Sequence, residues 1–83
     1  MADKLYQKEI LVNNINLLLI DEIKEPIEVD VKTRYSSKLS KAKIEMINEN
    51  IRVVFDEPQR AITPGQSAVF YIDDIVLGGG KII

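Results

Sequence analysis

The chain of 83 residues contains no cysteine and no histidine. Without cysteine there is neither a disulfide framework nor a thiolate metal site. Without histidine the usual general base near neutral pH and the commonest metal ligand are missing. No stretch is apolar over the roughly 20 residues that a membrane-spanning helix needs, and no apolar segment of a secretory signal follows Met1. We therefore expect a domain without membrane contact, located in the cytoplasm.

Serine and lysine form the nucleophile–base combination that this composition leaves open. Ser36, Ser37 and Ser40 lie near lysines in the sequence, but no spacing selects a reactive pair. Asp73 and Asp74 are adjacent carboxylates in a segment predicted to be extended, where consecutive side chains point to opposite faces. They do not converge on one ion, so a solvated turn is the favoured interpretation. We predict no catalytic, metal-binding or cofactor-binding residue in this chain.

Basic residues are concentrated in one segment of an acidic chain whose formal net charge is −2. Alternation along a strand puts Lys32 and Arg34 on the same outward face, where they can act together on a run of phosphates. Tyr35 has the inward parity at the strand end, so a core aromatic and a contact to RNA are both open. The pattern fits either a solvated face or a nucleic-acid surface. The segment, residues 32–43, has no acidic residue and five basic ones: Lys32, Arg34, Lys38, Lys41 and Lys43.

Apolar residues alternate with polar ones along most of the chain, which is typical of β-strands. The turn signals are Asn48 to Asn50, Pro64-Gly65 and Asp73-Asp74, and Glu57-Pro58 is predicted to end a strand. We predict one domain over residues 1–83, all-β, forming a small closed or partly open antiparallel β-barrel of about six strands. The predicted strands cover 9–12, 27–35, 41–47, 51–56, 66–72 and 75 onward, and 17–23 is either a strand or a helical turn.

Gly78-Gly79-Gly80 invites comparison with a phosphate-binding loop. Such a loop opens a helix and is followed by Lys and a hydroxyl residue, whereas only Lys81-Ile82-Ile83 follows here. Glycine within a strand marks a bulge, a sharp bend or the close approach of another backbone. We therefore predict a structural role, with the glycines interrupting the last strand.

Several segments together resemble the C-terminal domain of the tRNA-specific 2-thiouridylases, also labelled tRNA (5-methylaminomethyl-2-thiouridylate)-methyltransferases. The resemblance spans nearly the whole chain, and the order and spacing of its segments are more specific than any single motif. Further similarity lies in Leu5-Tyr6, in 12–16 and in the basic-aromatic stretch 32–35. The most similar segments are 53–58, Ala61, 63–71 and 77–80.

The resemblance implies a tRNA-binding role for a small β-barrel that is the C-terminal part of a larger enzyme. In that family the enzyme replaces the C2 oxygen of the wobble uridine with sulfur, using ATP and a cysteine persulfide that belong to a catalytic domain. This chain has neither the ATP-binding loop of that catalytic domain nor any cysteine, so catalysis is expected elsewhere. The implied tRNA contacts are Arg34, Tyr35 and Gln66, and Lys32 joins them from its place in the basic segment.

An alternative function is structural, with the parent's catalytic and central domains as the main partners. Ile47, Val54 and Val69 are apolar residues at outward positions, which suits a protein interface. Two departures from the family pattern bear on the choice. Ser36 stands where a further arginine is often found, and Lys81 stands where an apolar residue commonly follows the glycines.

Overall fold

The computed structural model describes residues 6–33, 39–60 and 62–83. Six strands close into one barrel in the spatial order β1-β4-β3-β2-β5-β6, and every neighbouring pair is antiparallel. The predicted all-β barrel of about six strands is confirmed, and it is closed, which leaves no unpaired sheet edge. The strands are β1 Tyr6–Leu17, β2 Ile27–Thr33, β3 Ser40–Ile47, β4 Asn50–Arg60, β5 Ser67–Ile72 and β6 Ile75–Ile82.

The core is built from the inward-facing residues of all six strands. In β2, Val29 and Val31 are buried, whereas Glu28 and Lys32 are exposed, so the alternation predicted from the sequence is confirmed there. Phe55 and Phe70 are the largest side chains with almost no exposed surface. Burial of each such side chain stabilises the fold by about 1.5–3 kcal/mol, which makes this shared interior the main source of stability.

Strand β4 does not end at Glu57-Pro58, so that prediction is wrong. It continues to Arg60, and its register with β1 shifts between Gln7, which pairs with Gln59, and Glu9, which pairs with Val54. The extra residues of β4, including Pro58, form a bulge in which the missing N–H of proline costs no ladder hydrogen bond. Proline was therefore a misleading stop signal.

The glycine run does not interrupt the last strand, and that prediction is also wrong. Strand β6 passes through all three glycines, and neighbouring backbones approach them closely. A Cβ on Gly79 would lie 2.5 Å from the carbonyl oxygen of Ala68, and a Cβ on Gly80 would lie 2.5 Å from that of Asn13. Close backbone approach, one of the meanings that the sequence allowed for glycine, is the reason for the run.

The predicted turns are confirmed by their backbone geometry. Asp73 and Asp74 have φ of 49° and 69° in the two-residue connection between β5 and β6, and Asn48 has φ of 58° between β3 and β4. Gly65 has φ of 94°, as a type II turn after Pro64 requires.

The segment 17–23 is neither a strand nor a helical turn beyond Leu17, which ends β1. The chain instead leaves the barrel wall in an irregular loop. The amides of Leu18 and Leu19 both donate to the carbonyl oxygen of Leu77, and the buried side chain of Ile23 returns the loop to the core. The apolar run was ambiguous because only Ile23 is buried, while Leu17 and Ile20 are half-buried and Leu18 and Leu19 are exposed.

Candidate nucleic-acid interface

The basic segment is only partly a basic surface, because strand pairing brings carboxylates between its lysines. Lys41 of β3 lies opposite Asp30 of β2, and Lys43 lies opposite Glu28. Side chains at directly opposed positions share a face of the sheet and interact. The positive potential of Lys41 and Lys43 is therefore reduced by neighbours that are distant in the sequence.

Lys32 has a different environment from the other two lysines. It is exposed on the outward face of β2, and its partner across the ladder with β5 is the neutral Val69. Among the residues that the structure describes, lysine forms an ion pair only at Lys24, with Glu22 at 3.8 Å. Lys32 thus keeps its charge available to a solvent-side ligand.

A surface without carboxylates extends from Lys32 across four strands to β1. One row of paired outward positions runs from Lys32 through β5 and β6, and a second row beside it contains Lys81, which is exposed. Both charged positions in these rows are cationic. We call this the Lys32–Lys81 surface; its members are Lys32, Val69, Gly79 and Asn16 in the first row, and Ser67, Lys81 and Asn13 in the second.

A shallow depression of about 400 Å³ lies on this surface. It follows β6, because Gly79 has no side chain to fill the space between its neighbours Val69 and Asn16. Ser67 and Lys81 line the same depression. The glycines that allow the close backbone approach therefore also leave a path along which a ligand can reach the sheet.

Gln66 lies between the Pro64-Gly65 turn and the first residue of β5. Its carbonyl oxygen accepts a hydrogen bond from Ile82 N at 2.8 Å, and Gly65 N donates to Ile82 O at 2.7 Å, so the turn is held against β6. The side chain is half-buried, and its Oε1 is buried with no hydrogen-bond partner among the described residues. An unpaired amide oxygen costs free energy unless a ligand or water meets it.

Arg34 and Tyr35, two of the four predicted tRNA-binding residues, lie outside the described residues. The structure does place the strand end that precedes them. Thr33 at the end of β2 pairs with Ala68, two residues beyond Gln66 in β5. Lys32 and Gln66 are accordingly brought to the same end of the barrel, where β2 ends and β5 begins.

Lys81 and Asn13 are members of this surface that the sequence did not select. Lys81 was noted only as a departure from an apolar pattern, yet β6 continues through it and its alternate position faces outward. Asn13 lies opposite Lys81, and its Oδ1 is buried without a hydrogen-bond partner among the described residues. The period-two alternation of a strand, continued past the glycines, would have placed Lys81 on the outward face. It was not applied because the strand was predicted to be interrupted at the glycines.

Arg52 forms a separate charged cluster on the outward side of β4. Its Nε lies 2.9 Å from Glu9 Oε1, its Nη2 donates to Glu9 Oε2 at 2.9 Å, and its Nη1 donates to Glu45 Oε1 at 3.2 Å. The hydrogen bond and charge of Glu9, followed by those of Glu45, raise the pKa of Arg52 above its ordinary value. This guanidinium links β1, β4 and β3 and is already paired with two carboxylates, which makes it a poor site for phosphates.

Two features are absent from the part of the chain that the structure describes. No helix there is long and apolar enough to cross a membrane. The chain has no histidine and no cysteine, and no three Asp or Glu side chains lie close enough together there to hold a metal ion.

The fold defines a small closed antiparallel β-barrel domain, and the Lys32–Lys81 surface is an outward face of it that carries two cations. Comparison with known proteins then gives its family: residues 7–82 match the family described as the aminomethyltransferase beta-barrel domain, and the chain belongs to it. The resemblance found in the sequence is thereby confirmed.

The curated relatives that the chain matches are much longer than the chain. It is 48% identical over 81 residues to the tRNA-specific 2-thiouridylase MnmA of Halothermothrix orenii, which covers 96% of this chain and 23% of that protein. The proteins of the same name from Acetivibrio thermocellus and Clostridioides difficile are each 49% identical over 81 residues, covering 96% of this chain and 23% and 22% of those proteins. The chain therefore corresponds to a barrel domain that makes up about a quarter of such an enzyme.

Proposed function

We propose that this chain is a tRNA-binding module of a 2-thiouridylase and positions tRNA without catalysing a reaction itself. The relatives carry the name of tRNA-specific 2-thiouridylases, which supplies the RNA partner. The observation that supports the role most strongly is the Lys32–Lys81 surface, whose paired outward positions carry cations and no carboxylates. Backbone phosphates are the ligand for such a surface, because cations on it can release the counterions of RNA.

The residues proposed to contact tRNA are Lys32, Arg34, Tyr35 and Gln66. Lys32 supplies a phosphate contact from β2, and Arg34 and Tyr35 follow in the chain with groups that can fork onto phosphate or stack on a base. The amide oxygen of Gln66, at the same end of the barrel, has no hydrogen-bond partner among the described residues, and it can accept a hydrogen bond from a ribose hydroxyl. Phosphate contacts fix the register of the RNA and carry little sequence information, so positioning is the proposed mechanism.

The proposal assigns the chemistry of thiolation to other parts of a longer protein. The ATP and the cysteine persulfide that the family resemblance implies have no ligand set in this chain, which contains no cysteine. With tRNA as the partner, the proposed place of action is the cytoplasm.

The test is a titration of the 83-residue chain against a tRNA with a wobble uridine, at 50 and 200 mM salt. We expect weak binding that is lost as salt rises, because only two or three phosphates are contacted. Lys32→Gln, Arg34→Ala and Gln66→Ala should each weaken it. Lys8→Gln is the matched control, since Lys8 is exposed on β1 in a depression that it shares with Glu45 and Asp56. A folded chain that binds no tRNA at the lower salt overturns the proposal.

A second candidate function is packing against the rest of the parent enzyme. Exposed apolar side chains gather where the loop after β1 meets the β5–β6 hairpin: Leu18 is 66% exposed, Leu19 50% and Ile75 55%. Leu18 and Val76 line the same depression, which makes the patch continuous. Such a patch is typical of a surface that is covered in a larger assembly.

Of the three apolar residues chosen from the sequence for this role, all lie at outward positions. Ile47 is exposed, while Val54 and Val69 are half-buried. Val54 is opposite Glu9 on one side and Lys43 on the other, so it belongs to a charged neighbourhood rather than to the patch. The more exposed group around Leu18 and Ile75 is therefore the better candidate surface.

A chimera tests the second candidate, with this chain replacing the matching segment of the Halothermothrix orenii enzyme. Leu18→Ser combined with Ile75→Ser is expected to increase proteolytic release of the barrel, because apolar burial against the remaining enzyme is lost. Lys32→Gln serves as the control and should leave the rate of release unchanged. Equal release from the double variant and the parent chimera would remove the argument for packing at this patch.

A further inference from the structure

Lys81 and Asn13 occupy opposed outward positions on β6 and β1, beyond the residues that the proposed function assigns to tRNA. Lys81 is exposed, and its other partner, Ser67 of β5, is neutral. No member of the Lys32–Lys81 surface is a carboxylate, so the ammonium of Lys81 has no anionic partner at a paired position. It is a cation without a paired carboxylate on a sheet face that carries both polar and apolar residues.

A second observation at the same place concerns the amide of Asn13. Its Oδ1 is buried and has no hydrogen-bond partner among the described residues. An amide carries two donors and one acceptor oxygen, and the two ends can exchange places by rotation. The Asn13 side chain, opposite Lys81 on the ladder, therefore has an acceptor oxygen that its described neighbours do not use, and the hydroxyl of a ligand can donate to it.

The depression along Gly79 is lined by Lys81 and by residues of β5 and β1, between the two rows of the Lys32–Lys81 surface. Neighbouring strands lie about 4.8 Å apart and residues along a strand about 3.3 Å apart, so Lys32 and Lys81, two strands and two residues from each other, have Cα atoms roughly 12 Å apart across the sheet. Asn16, Ser67 and Lys81 line the depression, and the glycine backbone forms its floor. A strand of RNA crossing from Lys32 toward β1 meets Lys81 next and Asn13 after it.

We propose that Lys81 and Asn13 form a ribose-phosphate subsite that extends the tRNA contact from β2 across β5 and β6 to β1. Lys81 binds a backbone phosphate, and the Asn13 amide binds the neighbouring ribose through its 2′-hydroxyl, the group that distinguishes RNA from DNA. This inference rests on the proposed function. It adds to that function a further phosphate contact, at Lys81, and a further ribose contact, at Asn13.

The experiment uses the 83-residue chain with Lys81→Gln, with Lys32→Gln as the positive control and Lys8→Gln as the matched negative control. All three variants remove one positive charge from an exposed lysine. Binding to a wobble-uridine tRNA is measured between 50 and 200 mM salt. Lys81→Gln is expected to weaken binding about fivefold at the lower salt and to reduce the slope of log K against log salt by about 0.7 to 0.9, as loss of one phosphate contact requires.

Three outcomes separate the subsite from the function on which it rests. A slope that falls for both Lys32→Gln and Lys81→Gln supports the subsite. A slope that falls for Lys32→Gln while Lys81→Gln matches Lys8→Gln overturns the subsite and leaves the proposed function standing. If the unsubstituted chain is folded but does not bind tRNA, the proposed function and the subsite both fail.

Asn13→Ala tests the ribose contact separately. Binding is compared between an RNA hairpin and the same hairpin with 2′-deoxyribose throughout. The unsubstituted chain should prefer the RNA hairpin, and Asn13→Ala should reduce that preference severalfold while the salt slope stays the same, because the amide is uncharged. An unchanged preference in Asn13→Ala overturns the assignment of the amide to ribose, whatever Lys81→Gln shows.

Discussion

Gly78 and Leu17 are paired across the β6–β1 ladder, and a Cβ on Gly78 would lie 3.0 Å from the Cα of Leu17. The same Cβ would overlap the carbonyl oxygen of Asn16, so the backbones of β6 and β1 would have to move apart. We expect Gly78→Ala to lower the free energy of unfolding by about 1–3 kcal/mol, the usual cost of overpacking. Urea unfolding followed by circular dichroism measures this.

Gly65→Ala is the comparison for that prediction, because its cause of strain differs. No atom lies within 4 Å of a Cβ at Gly65, but its φ of 94° is unfavourable for a residue with a side chain. The expected cost is about 1–2 kcal/mol, and Gly65→Asn should cost less because Asn visits the left-handed region more readily. A Gly78→Ala variant as stable as the unsubstituted chain would show that β1 and β6 are less closely packed than described.

The Arg52 cluster predicts unequal effects for its two carboxylates. Glu9 makes two contacts with the guanidinium at 2.9 Å, whereas Glu45 makes one at 3.2 Å. Glu9→Gln should therefore lower the melting temperature more than Glu45→Gln. Both losses should shrink in 1 M salt, where exposed charges are screened. Equal losses, or losses independent of salt, would contradict this ranking.

The pKa shift of Arg52 also sets the sign of its pH dependence. Glu9 and Glu45 raise that pKa above the ordinary value for arginine. The contribution of charged Arg52 to folding stability is therefore fully present at every pH below the ordinary pKa. It is lost only as the pH rises through the still higher value in the folded state. We therefore expect the stability difference between Arg52→Gln and the unsubstituted chain to change little on the alkaline side of neutrality, from pH 7 to pH 9, in thermal denaturation.

The pairing of Asp30 with Lys41 predicts an effect on RNA binding that is opposite in sign to that of removing lysine. Asp30→Asn removes the carboxylate facing Lys41 and should raise tRNA affinity by about 2- to 5-fold at 50 mM salt, because the local potential becomes more positive. Lys41→Gln should weaken binding less than Lys32→Gln. Glu22→Gln, in the loop after β1, is the control and should change affinity less than Asp30→Asn. A decrease on Asp30→Asn would place the RNA on another face.

Phe70 and Val69 are adjacent in β5 and test the inward and outward assignment of that strand. Phe70 is 0% exposed, and Phe70→Ala should cost about 3–5 kcal/mol, a large part of the stability of a domain of this size. Val69 is half-buried on the outward face, and Val69→Ala should cost under about 1 kcal/mol. Thermal denaturation distinguishes the two. Similar costs at both positions would argue against the alternation described for β5.

Local patterns were sufficient for most of the barrel. Alternation in 27–35 and 41–47 identified β2 and β3 and their buried faces within the described residues, and Asp73-Asp74 and Pro64-Gly65 marked real turns. Pro58 and the glycine run misled the prediction, because a bulge and a close backbone approach depend on the neighbouring strand β1. The candidate site was predicted in part: Lys32 and Gln66 lie at one end of the barrel, while Arg34 and Tyr35 fall outside the described residues.

The sequence by itself determined the class of fold, the inward and outward residues of its regular strands, the family resemblance and the lack of a recognisable nucleophile–base pair, because these depend on residue type and short-range periodicity. Only the tertiary structure decided which charges face one another. Asp30 and Glu28 oppose Lys41 and Lys43, whereas Lys81 joins Lys32 on a face without carboxylates. The physical reason is that strand register in a closed barrel brings together side chains far apart in the sequence, and the electrostatic potential of a surface depends on that register.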